Sequence, residues 1–331
     1  MRLFCGVDGG GSKTMCVVGD ERGRVLGVGV AGPANPSIVG VEGACEAVRK
    51  AVVAALREAS GARASVVFAA LAGAGSWRRG KTLVEALSGK GPWDRVEVGP
   101  DALAALMSVT LGKPGVVVIA GTGSVALSTD GEGNVYKVGG WGWLVDDEGG
   151  GFYLGREGIR RALMAYDGRG PATLLAELVE RALGASSLED VVDRIALGEL
   201  GVREIAMLAP TVIEAYRRGD EVAAEILRDA CRSLAVAAAA AAKKAGLKGG
   251  VKVGVCGGVF EGSAEFRAEF EKALKKLLPE AEVVSPAVKP AVGALLLAYR
   301  CGGVQLKEEV VDTVLRTALS RGELRYGGGG G

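Results

Sequence analysis

The chain has 331 residues, which is long enough for two domains that each bury a hydrophobic core. Apolar residues make up 49% of it and charged residues 24%, with a formal net charge of +1, so no nucleic acid and no membrane is expected as a partner. The sequence contains no histidine, which excludes Ser-His-Asp and Cys-His catalysis and leaves proton abstraction to a carboxylate or another group.

The sequence also gives expectations about the cellular location of the protein and about its source organism. A first strand beginning at residue 3 leaves no room for a signal peptide, so a cytoplasmic location is expected. The six cysteines are scattered without a CxxC pair, and several of them lie in apolar runs and are predicted to be small core residues, which disfavours a metal or iron–sulfur site within one chain. Asparagine and glutamine occur only as Asn35, Asn134 and Gln305, and this scarcity of thermolabile amides favours a thermophilic source.

Two passages of the chain share one pattern: an apolar strand, a glycine-rich turn, a second strand, a tight turn and a third strand. The predicted strands are 3–7, 15–18 and 25–30 in the first passage and 116–120, 125–127 and 135–138 in the second. This repetition indicates a duplicated structural unit.

Helices and strands alternate after each passage, which predicts α/β sheets covered by helices. The first passage is followed by predicted helices 42–59, 81–87 and 102–111 and strands 65–71 and 95–98. The second is followed by predicted helices 156–165, 172–183, 188–195, 202–217, 221–245, 263–278, 291–299 and 308–321 and strands 251–256 and 282–284.

The predicted domains follow from a break at Lys113-Pro114-Gly115. We expect an N-terminal domain over residues 1–114 and a C-terminal domain with helical insertions over residues 115–303. Residues 304–326 are expected to form a helix that packs back on the body, and residues 327–331 a disordered glycine tail.

The two glycine-rich turns predict a phosphate site. Backbone N–H groups in such turns converge on an anion, and two turns of this kind suit one polyphosphate. In such a site Asp8 would hold water on Mg²⁺ while the amides that follow contact the β- and γ-phosphates of ATP. The alternative for the first turn is a tight hairpin with an exposed aspartate. The predicted phosphate-binding residues are Asp8, Gly9, Gly10, Gly11, Ser12, Lys13 and Thr14 in one turn and Gly121, Thr122 and Gly123 in the other.

Several ordered motifs between residue 4 and about residue 300 together resemble one family. They are 7–14, Gly99-Pro100-Asp101-Ala102, 119–124, 139–149 and Cys256-Gly257-Gly258-Val259. The chain resembles the N-acetylglucosamine kinase branch of the actin-like ATPase superfamily, related to benzoyl-CoA reductase and hydroxyacyl-CoA dehydratase activators. The resemblance implies an α/β fold of two actin-like (ribonuclease H-like) domains, each a mixed five-stranded sheet flanked by helices, with the active site in the interdomain cleft.

The same resemblance implies an ATP- and Mg²⁺-dependent kinase that phosphorylates N-acetylglucosamine on its 6-hydroxyl. Glucosamine, glucose or mannose could replace that sugar, because one sequence does not report the pocket around the 2-substituent. Asp101 is implied as the catalytic base that accepts the sugar hydroxyl proton. The simpler alternative is an ordinary helix N-cap.

The segment 139–151 places two tryptophans and three acids among glycines, a composition that suits a sugar. An acidic surface loop or a cation site is the alternative. With the resemblance, the implied sugar-contacting residues are Asn35, Asp101, Ser124, Val125, Gly140, Trp141, Gly142, Asp147 and Glu148. The turn Gly257-Gly258 is implied to lie against the adenosine, with Ala206 on its opposite side.

Three rival functions remain open. A dehydratase-activator ATPase would bridge two subunits with an iron–sulfur cluster, and Cys256 lies beside the Gly257-Gly258 turn. A non-catalytic sugar sensor would need a nucleic-acid-binding extension, which the sequence does not show. A Walker A pattern occurs at Gly75–Thr82, but Trp77, Arg78 and Arg79 fill its loop with bulk. The oligomeric state is left open, a homodimer included.

Overall fold

The computed structural model describes residues 1–75 and 77–327, with the backbone alone at Trp77. Two compact units divide the chain. The first comprises residues 1–113 together with 285–327, and the second is Pro114–Val284. The predicted glycine tail lies outside the described residues except for Gly327.

Each unit is built on a mixed sheet in which five strands are described. The strands are β1 (Leu3–Gly9), β2 (Thr14–Asp20), β3 (Val25–Ala31), β4 (Ala64–Leu71), β5 (Trp93–Pro100), β6 (Gly115–Ala120), β7 (Ser124–Thr129), β8 (Val135–Gly139), β9 (Lys252–Cys256) and β10 (Glu282–Val284). The strand orders are β3-β2-β1-β4-β5 and β10-β9-β6-β7-β8. In both sheets an antiparallel meander pairs through its first strand with a parallel strand, so the predicted duplication is confirmed.

Helices cover the sheets of both units. They are α1 (Pro36–Glu58), α2 (Trp77–Leu87), α3 (Asp101–Thr110), α4 (Gly151–Tyr166), α5 (Leu175–Leu183), α6 (Leu188–Ala196), α7 (Val202–Ala206), α8 (Ala209–Arg217), α9 (Glu221–Lys244), α10 (Gly258–Glu261), α11 (Ala264–Lys275), α12 (Pro290–Cys301) and α13 (Glu308–Leu319). The predicted helix 202–217 is divided between α7 and α8. Pro210 lies at the start of α8, and proline cannot continue a helix that approaches it.

The first sheet is buried on both faces. Along β1, Leu3, Cys5 and Val7 belong to the core under α1, while Phe4 belongs to the core under α12. This alternation explains why β1 is a nearly continuous apolar run: both sets of side chains are shielded from water.

Helix α12 lies in the first unit, which differs from the predicted domain boundary at residue 303. Two glycines permit its close packing. A Cβ at Gly6 of β1 would approach the Leu295 nitrogen to 1.9 Å, and a Cβ at Gly293 would approach the Ala104 carbonyl oxygen of α3 to 2.0 Å. The Tyr299 hydroxyl also donates to the Asp20 carbonyl at 2.7 Å. These contacts tie residues after 285 to the N-terminal sheet.

The residues after α12 also pack on the first unit. The Val25 N–H donates to Thr317 Oγ1 of α13 at 3.0 Å, and Val288 pairs with Arg325 in an isolated bridge. The C-terminal segment thus covers the β2–β3 hairpin.

The second unit buries the alanine-rich helix α9 against β7. The Ser128 hydroxyl of β7 donates to the Ala241 carbonyl at 2.7 Å, which is possible only because alanine side chains let the helix approach the sheet. In the described part of the chain, no helix combines the length and apolar composition that a membrane crossing requires.

Candidate functional site

The β1–β2 turn exposes bare backbone. The Gly10 N–H donates to the Lys13 carbonyl at 3.0 Å and closes the turn, and residues 11–13 are exposed. A Cβ at Gly10 would come no closer than 3.7 Å to another protein atom, so packing within the protein does not require glycine there. Glycine at such a position leaves room for an anion to approach the backbone N–H groups.

Asp8 and Asp101 lie at the same edge of the first sheet. Asp8 pairs with Ala70 of β4, Ala70 pairs with Gly99 of β5, and α3 begins at Asp101 directly after that strand. Two strand spacings separate Asp8 from Gly99, which is roughly 10 Å along the sheet. The carboxyl ends of parallel strands therefore bring the predicted metal-binding acid and the predicted base to one region.

The electrostatics of this pair favour proton acceptance. Burial raises the pKa of Asp8 to about 7, the charge of Asp101 adds to the rise, and the Lys13 ammonium opposes it. The surrounding protein also desolvates the Asp101 carboxylate and raises its pKa, although the residue remains accessible to solvent. The Ala102 N–H donates to Asp101 Oδ1 at 3.0 Å and lowers that pKa in part. Pro100 occupies the N-cap position, so Asp101 is not the cap of α3.

Asn35 joins the first turn to α1. It is the N-cap residue of α1, with Oδ1 accepting the Ser37 N–H at 2.9 Å. Its backbone N–H and that of Ala34 both donate to the Gly10 carbonyl, at 3.2 and 3.0 Å. The capping role accounts for asparagine at this position, and the bonds to Gly10 place the predicted sugar-binding amide beside the predicted phosphate turn.

The β6–β7 turn in the second unit supports helix α4. The Gly121 carbonyl accepts the Gly151 N–H at 2.7 Å, and the Thr122 carbonyl accepts the Phe152 N–H at 2.9 Å. Two of the otherwise unsatisfied N–H groups at the start of α4 are thereby bonded. A Cβ at Gly121 would have no described protein atom within 4 Å, so this turn also presents bare backbone.

The predicted adenosine residues lie next to this turn. A Cβ at Gly257 would approach the Ala120 carbonyl oxygen to 2.4 Å and the Gly121 nitrogen to 3.1 Å, so the end of β9 lies against the β6–β7 turn. A Cβ at Gly151 would meet the Ala206 carbonyl oxygen at 3.0 Å and the Gly121 carbonyl oxygen at 3.1 Å. Gly121, Ala206 and Gly257 are therefore close neighbours, an arrangement that local sequence patterns do not show.

Residues 139–150 fold over the same turn. Ser124 Oγ donates to the Glu148 carbonyl at 2.8 Å, and Asp147 Oδ1 accepts the Gly142 N–H at 3.2 Å. A Cβ at Gly123 would meet Asp147 Oδ2 at 2.1 Å, so only glycine admits the carboxylate here. Asp147 adopts a left-handed φ of 68°, which costs free energy in a non-glycine residue. The pKa of the Asp147 carboxyl is raised, chiefly by burial.

Trp141 is 75% exposed beside a cavity of about 400 Å³ in the second unit. Four predicted sugar-contacting residues line that cavity: Ser124, Val125, Trp141 and Glu148. Sequence reasoning missed Lys137, whose ammonium donates to the Gly140 carbonyl at 2.7 Å and lies 4.6 Å from the centroid of the Trp141 ring. A lysine four residues before a tryptophan across a glycine bend was the available signal.

In the structure, the predicted site residues thus lie in two groups. Asp8, the turn 9–14, Asn35 and Asp101 are together in the first unit. The second unit brings together the turn 121–125, residues 140–148, Ala206, Gly257 and Gly258.

We expect Gly257→Ala to destabilise the protein and Gly258→Ala to leave stability unchanged. Gly257 has φ of +97° and no room for a Cβ, so alanine should lower the free energy of unfolding by about 1–3 kcal/mol. Gly258 has no described protein atom within 4 Å of a Cβ and starts α10, where alanine is well tolerated. Urea unfolding of both variants is the measurement, and equal stabilities would contradict the close approach of β9 to the β6–β7 turn.

These features define an α/β protein of two duplicated, actin-like units, each with a glycine-rich turn after the first strand of its meander. The chain belongs to the BadF/BadG/BcrA/BcrD ATPase family, whose sequence model matches residues 5–298. The predicted fold class and the resemblance to that ATPase family are confirmed.

Sugar kinases are among the proteins to which this chain is similar. An N-acetylmuramic acid/N-acetylglucosamine kinase of Clostridium acetobutylicum is 29% identical over 236 residues, which are 71% of this chain and 77% of that protein. An N-acetyl-D-glucosamine kinase of Dictyostelium discoideum is 30% identical over 244 residues, 70% of this chain and 76% of that protein. The crystal structure of a candidate N-acetylglucosamine kinase from Chromobacterium violaceum superposes with a TM-score of 0.70 at 27% identity, covering 90% of this chain and 99% of that one.

Proposed function

We propose that this protein is an ATP-dependent sugar kinase that phosphorylates N-acetylglucosamine, or a closely related hexosamine, on its 6-hydroxyl. The observation that carries the proposal is the pair of acids Asp8 and Asp101 at one edge of the first sheet, beside a turn of bare backbone. Curated relatives that cover more than two thirds of this chain are named N-acetylglucosamine kinases, which supports this choice of acceptor.

The nucleotide would be bound by both glycine turns. In this proposal the N–H groups of residues 9–14 and of residues 121–123 contact the phosphates, and the bare surface at Gly258 and Ala206 contacts the adenosine. Support comes from Gly10, Gly121 and Gly258, where neither packing nor backbone conformation requires glycine.

Asp8 is the residue that would hold Mg²⁺, through water. Its carboxylate is a hard oxygen ligand next to the first turn, and Mg²⁺ commonly keeps several waters while contacting one or two carboxylates. Within residues 1–75 and 77–327, no group of three or more Cys, Asp or Glu side chains could hold a metal ion directly. When bound, the cation would neutralise phosphate charge.

Asp101 would act as general base. It accepts the proton of the 6-hydroxyl as that oxygen bonds to the γ-phosphorus, the bond from this phosphorus to the β–γ bridging oxygen breaks, and ADP leaves. Asn35, Asp147 and the Trp141 ring would bind the sugar, through polar contacts and through the C–H face.

The dehydratase-activator alternative is weakened by the cysteines. A cluster shared between subunits needs exposed thiols, but Cys256, the cysteine beside the Gly257-Gly258 turn, is buried. The P-loop alternative is weakened by α2, which begins at Trp77 and holds Arg78 and Arg79 in a helix, where a Walker A motif needs a loop. Ser76 of that motif lies outside the described residues.

ADP release measured with a panel of hexoses and amino sugars tests the proposal. N-acetylglucosamine should accelerate ADP release by at least about 100-fold over water as acceptor, and its 6-deoxy analogue should not, because it lacks the accepting hydroxyl. Phosphorus–carbon coupling at C6 of the product would identify the position. ADP release at one rate with and without every sugar, or a brown oxygen-sensitive preparation, would favour the activator alternative.

A further inference from the structure

Helices α9 and α11 of the second unit pack together and leave a groove between them, with a cavity of about 410 Å³. A volume of this size suits a small molecule, because ligand cavities commonly measure about 300–1,000 Å³. The described residues that line it with charge are Arg228, Arg232, Lys272, Lys276 and Glu269. Four positive charges thus face one negative charge, in a chain whose formal net charge is only +1.

The four cations come from two pairs with helical spacing. Arg228 and Arg232 are four residues apart on α9, and Lys272 and Lys276 are four residues apart at the end of α11. Like charges at this spacing lie on one face of a helix and destabilise it. Helix stability therefore gives no reason for both pairs to face one groove, whereas an anion bound between the helices would neutralise them.

The existing ion pairs leave these cations able to bind a ligand. Three of them have an acidic neighbour: Arg232 with Asp229 at 2.6 Å, Lys272 with Glu269 at 3.7 Å and Arg228 with Glu221 at 3.9 Å. The side chains of Arg232 and Lys272 are 70% and 67% exposed, and ion pairs at such exposure contribute little to stability. A guanidinium also has five N–H donors, so a single acidic neighbour does not use all of them.

The groove also has an apolar part, and it adjoins the candidate sugar cavity. Val236 and Leu277 line the groove and are 54% and 46% exposed, so a ligand with an apolar face would shield them from water. Arg232 and Val236 line in addition the cavity of about 400 Å³ that contains Trp141. The occupant that fits is therefore a small, multiply charged anion with an apolar face.

We propose that this groove is a second binding site, outside the proposed active site, for the phosphate monoester of an amino sugar. The choice of a sugar phosphate rests on the proposed function, whose product is a compound of this class. A phosphate monoester carries a charge of about −1.5 to −2 at pH 7 and three acceptor oxygens, and arginine side chains bind such groups through two parallel hydrogen bonds. Val236 and Leu277 contact the C–H face of the sugar ring.

Calorimetric titration tests this site with the proposed active site occupied. N-acetylglucosamine 6-phosphate is added to protein saturated with N-acetylglucosamine and with a non-hydrolysable ATP analogue and Mg²⁺. We expect one molecule to bind per chain at low ionic strength, and N-acetylglucosamine 6-sulfate, which carries less charge, to bind more weakly. The double variant Lys272→Gln/Lys276→Gln should weaken binding of the 6-phosphate at least about tenfold, because hydrogen bonds to charged groups are the stronger ones.

The matched control is the double variant Lys243→Gln/Lys248→Gln. Both lysines are exposed and neither lines the groove, so binding should be unchanged apart from a small general effect of charge. No binding to the parent, equal loss in the two double variants, or tighter binding of AMP than of the sugar phosphate would overturn the site. Failure of N-acetylglucosamine to be phosphorylated would instead overturn the proposed function, and that failure is seen in the kinase assay and not in this titration.

Discussion

Asp101→Asn is expected to lower sugar-dependent turnover by about 10²–10⁴-fold while ATP binding is retained, since general-base catalysis contributes about that much. Asparagine has nearly the same shape and can still accept the Ala102 N–H through Oδ1, so the start of α3 should be preserved. What is lost is the basic carboxylate that is proposed to accept the hydroxyl proton. Steady-state kinetics with N-acetylglucosamine, together with calorimetric titration of ATP, measures both quantities.

The control for this substitution is Asp312→Asn. Asp312 is an exposed aspartate on α13, far along the chain from the proposed site, and its variant should retain full turnover. Turnover of Asp101→Asn within a few-fold of the parent would show that another group accepts the proton. A parallel loss of ATP affinity would indicate a role in nucleotide binding.

Asp8→Asn is expected to stabilise the protein above pH 7 while lowering turnover about 100-fold, because it removes the carboxylate that is proposed to hold Mg²⁺ through water. The pKa of Asp8 is raised from 3.8 to about 7, chiefly by burial and next by the charge of Asp101. An ionised Asp8 is therefore unfavourable in the folded protein, by roughly 2–4 kcal/mol relative to the unfolded chain. A neutral isostere removes this cost.

The sign of the pH dependence follows from the same shift. Between pH 4 and pH 7 the folded protein holds a proton on Asp8 that the unfolded chain has released, so this residue makes stability fall as pH rises across that range. The difference in free energy of unfolding between Asp8→Asn and the parent should grow from near zero at pH 4 to its full value above pH 7. Urea unfolding without nucleotide or metal measures it. A difference that does not vary with pH would contradict the raised pKa.

The fold could be predicted largely because its signals are local. Glycine turns occur after apolar strands at 8–14 and 121–124, and the strand before each turn is short and strongly apolar. The assignment of α12 to the first unit could not be predicted in this way. Pro290–Cys301 is buried on several sides, so its apolar pattern does not reveal its partner, and the fit depends on Gly6 and Gly293.

The candidate site could be predicted from the sequence where its residues lie close together in the chain. Asp8 and its turn, and Asp147 with its neighbours, are recognisable from sequence. The hydrogen bonds from Arg79 Nη1 to Ser37 Oγ and to the Gly73 carbonyl could not be predicted from the sequence, because they join α2 to the start of α1 and to the loop after β4 through tertiary packing. Similarly, the approach of Ala206 to the β6–β7 turn follows from the packing of α7 on α4.

In the proposed function, both glycine turns bind one and the same nucleotide. Amide hydrogen exchange at increasing concentrations of a non-hydrolysable ATP analogue with Mg²⁺ tests it most directly. We predict that peptides containing residues 9–14 and residues 121–124 both become protected, with the same half-saturating concentration. Protection of one turn alone, or two different half-saturating concentrations, would contradict the claim.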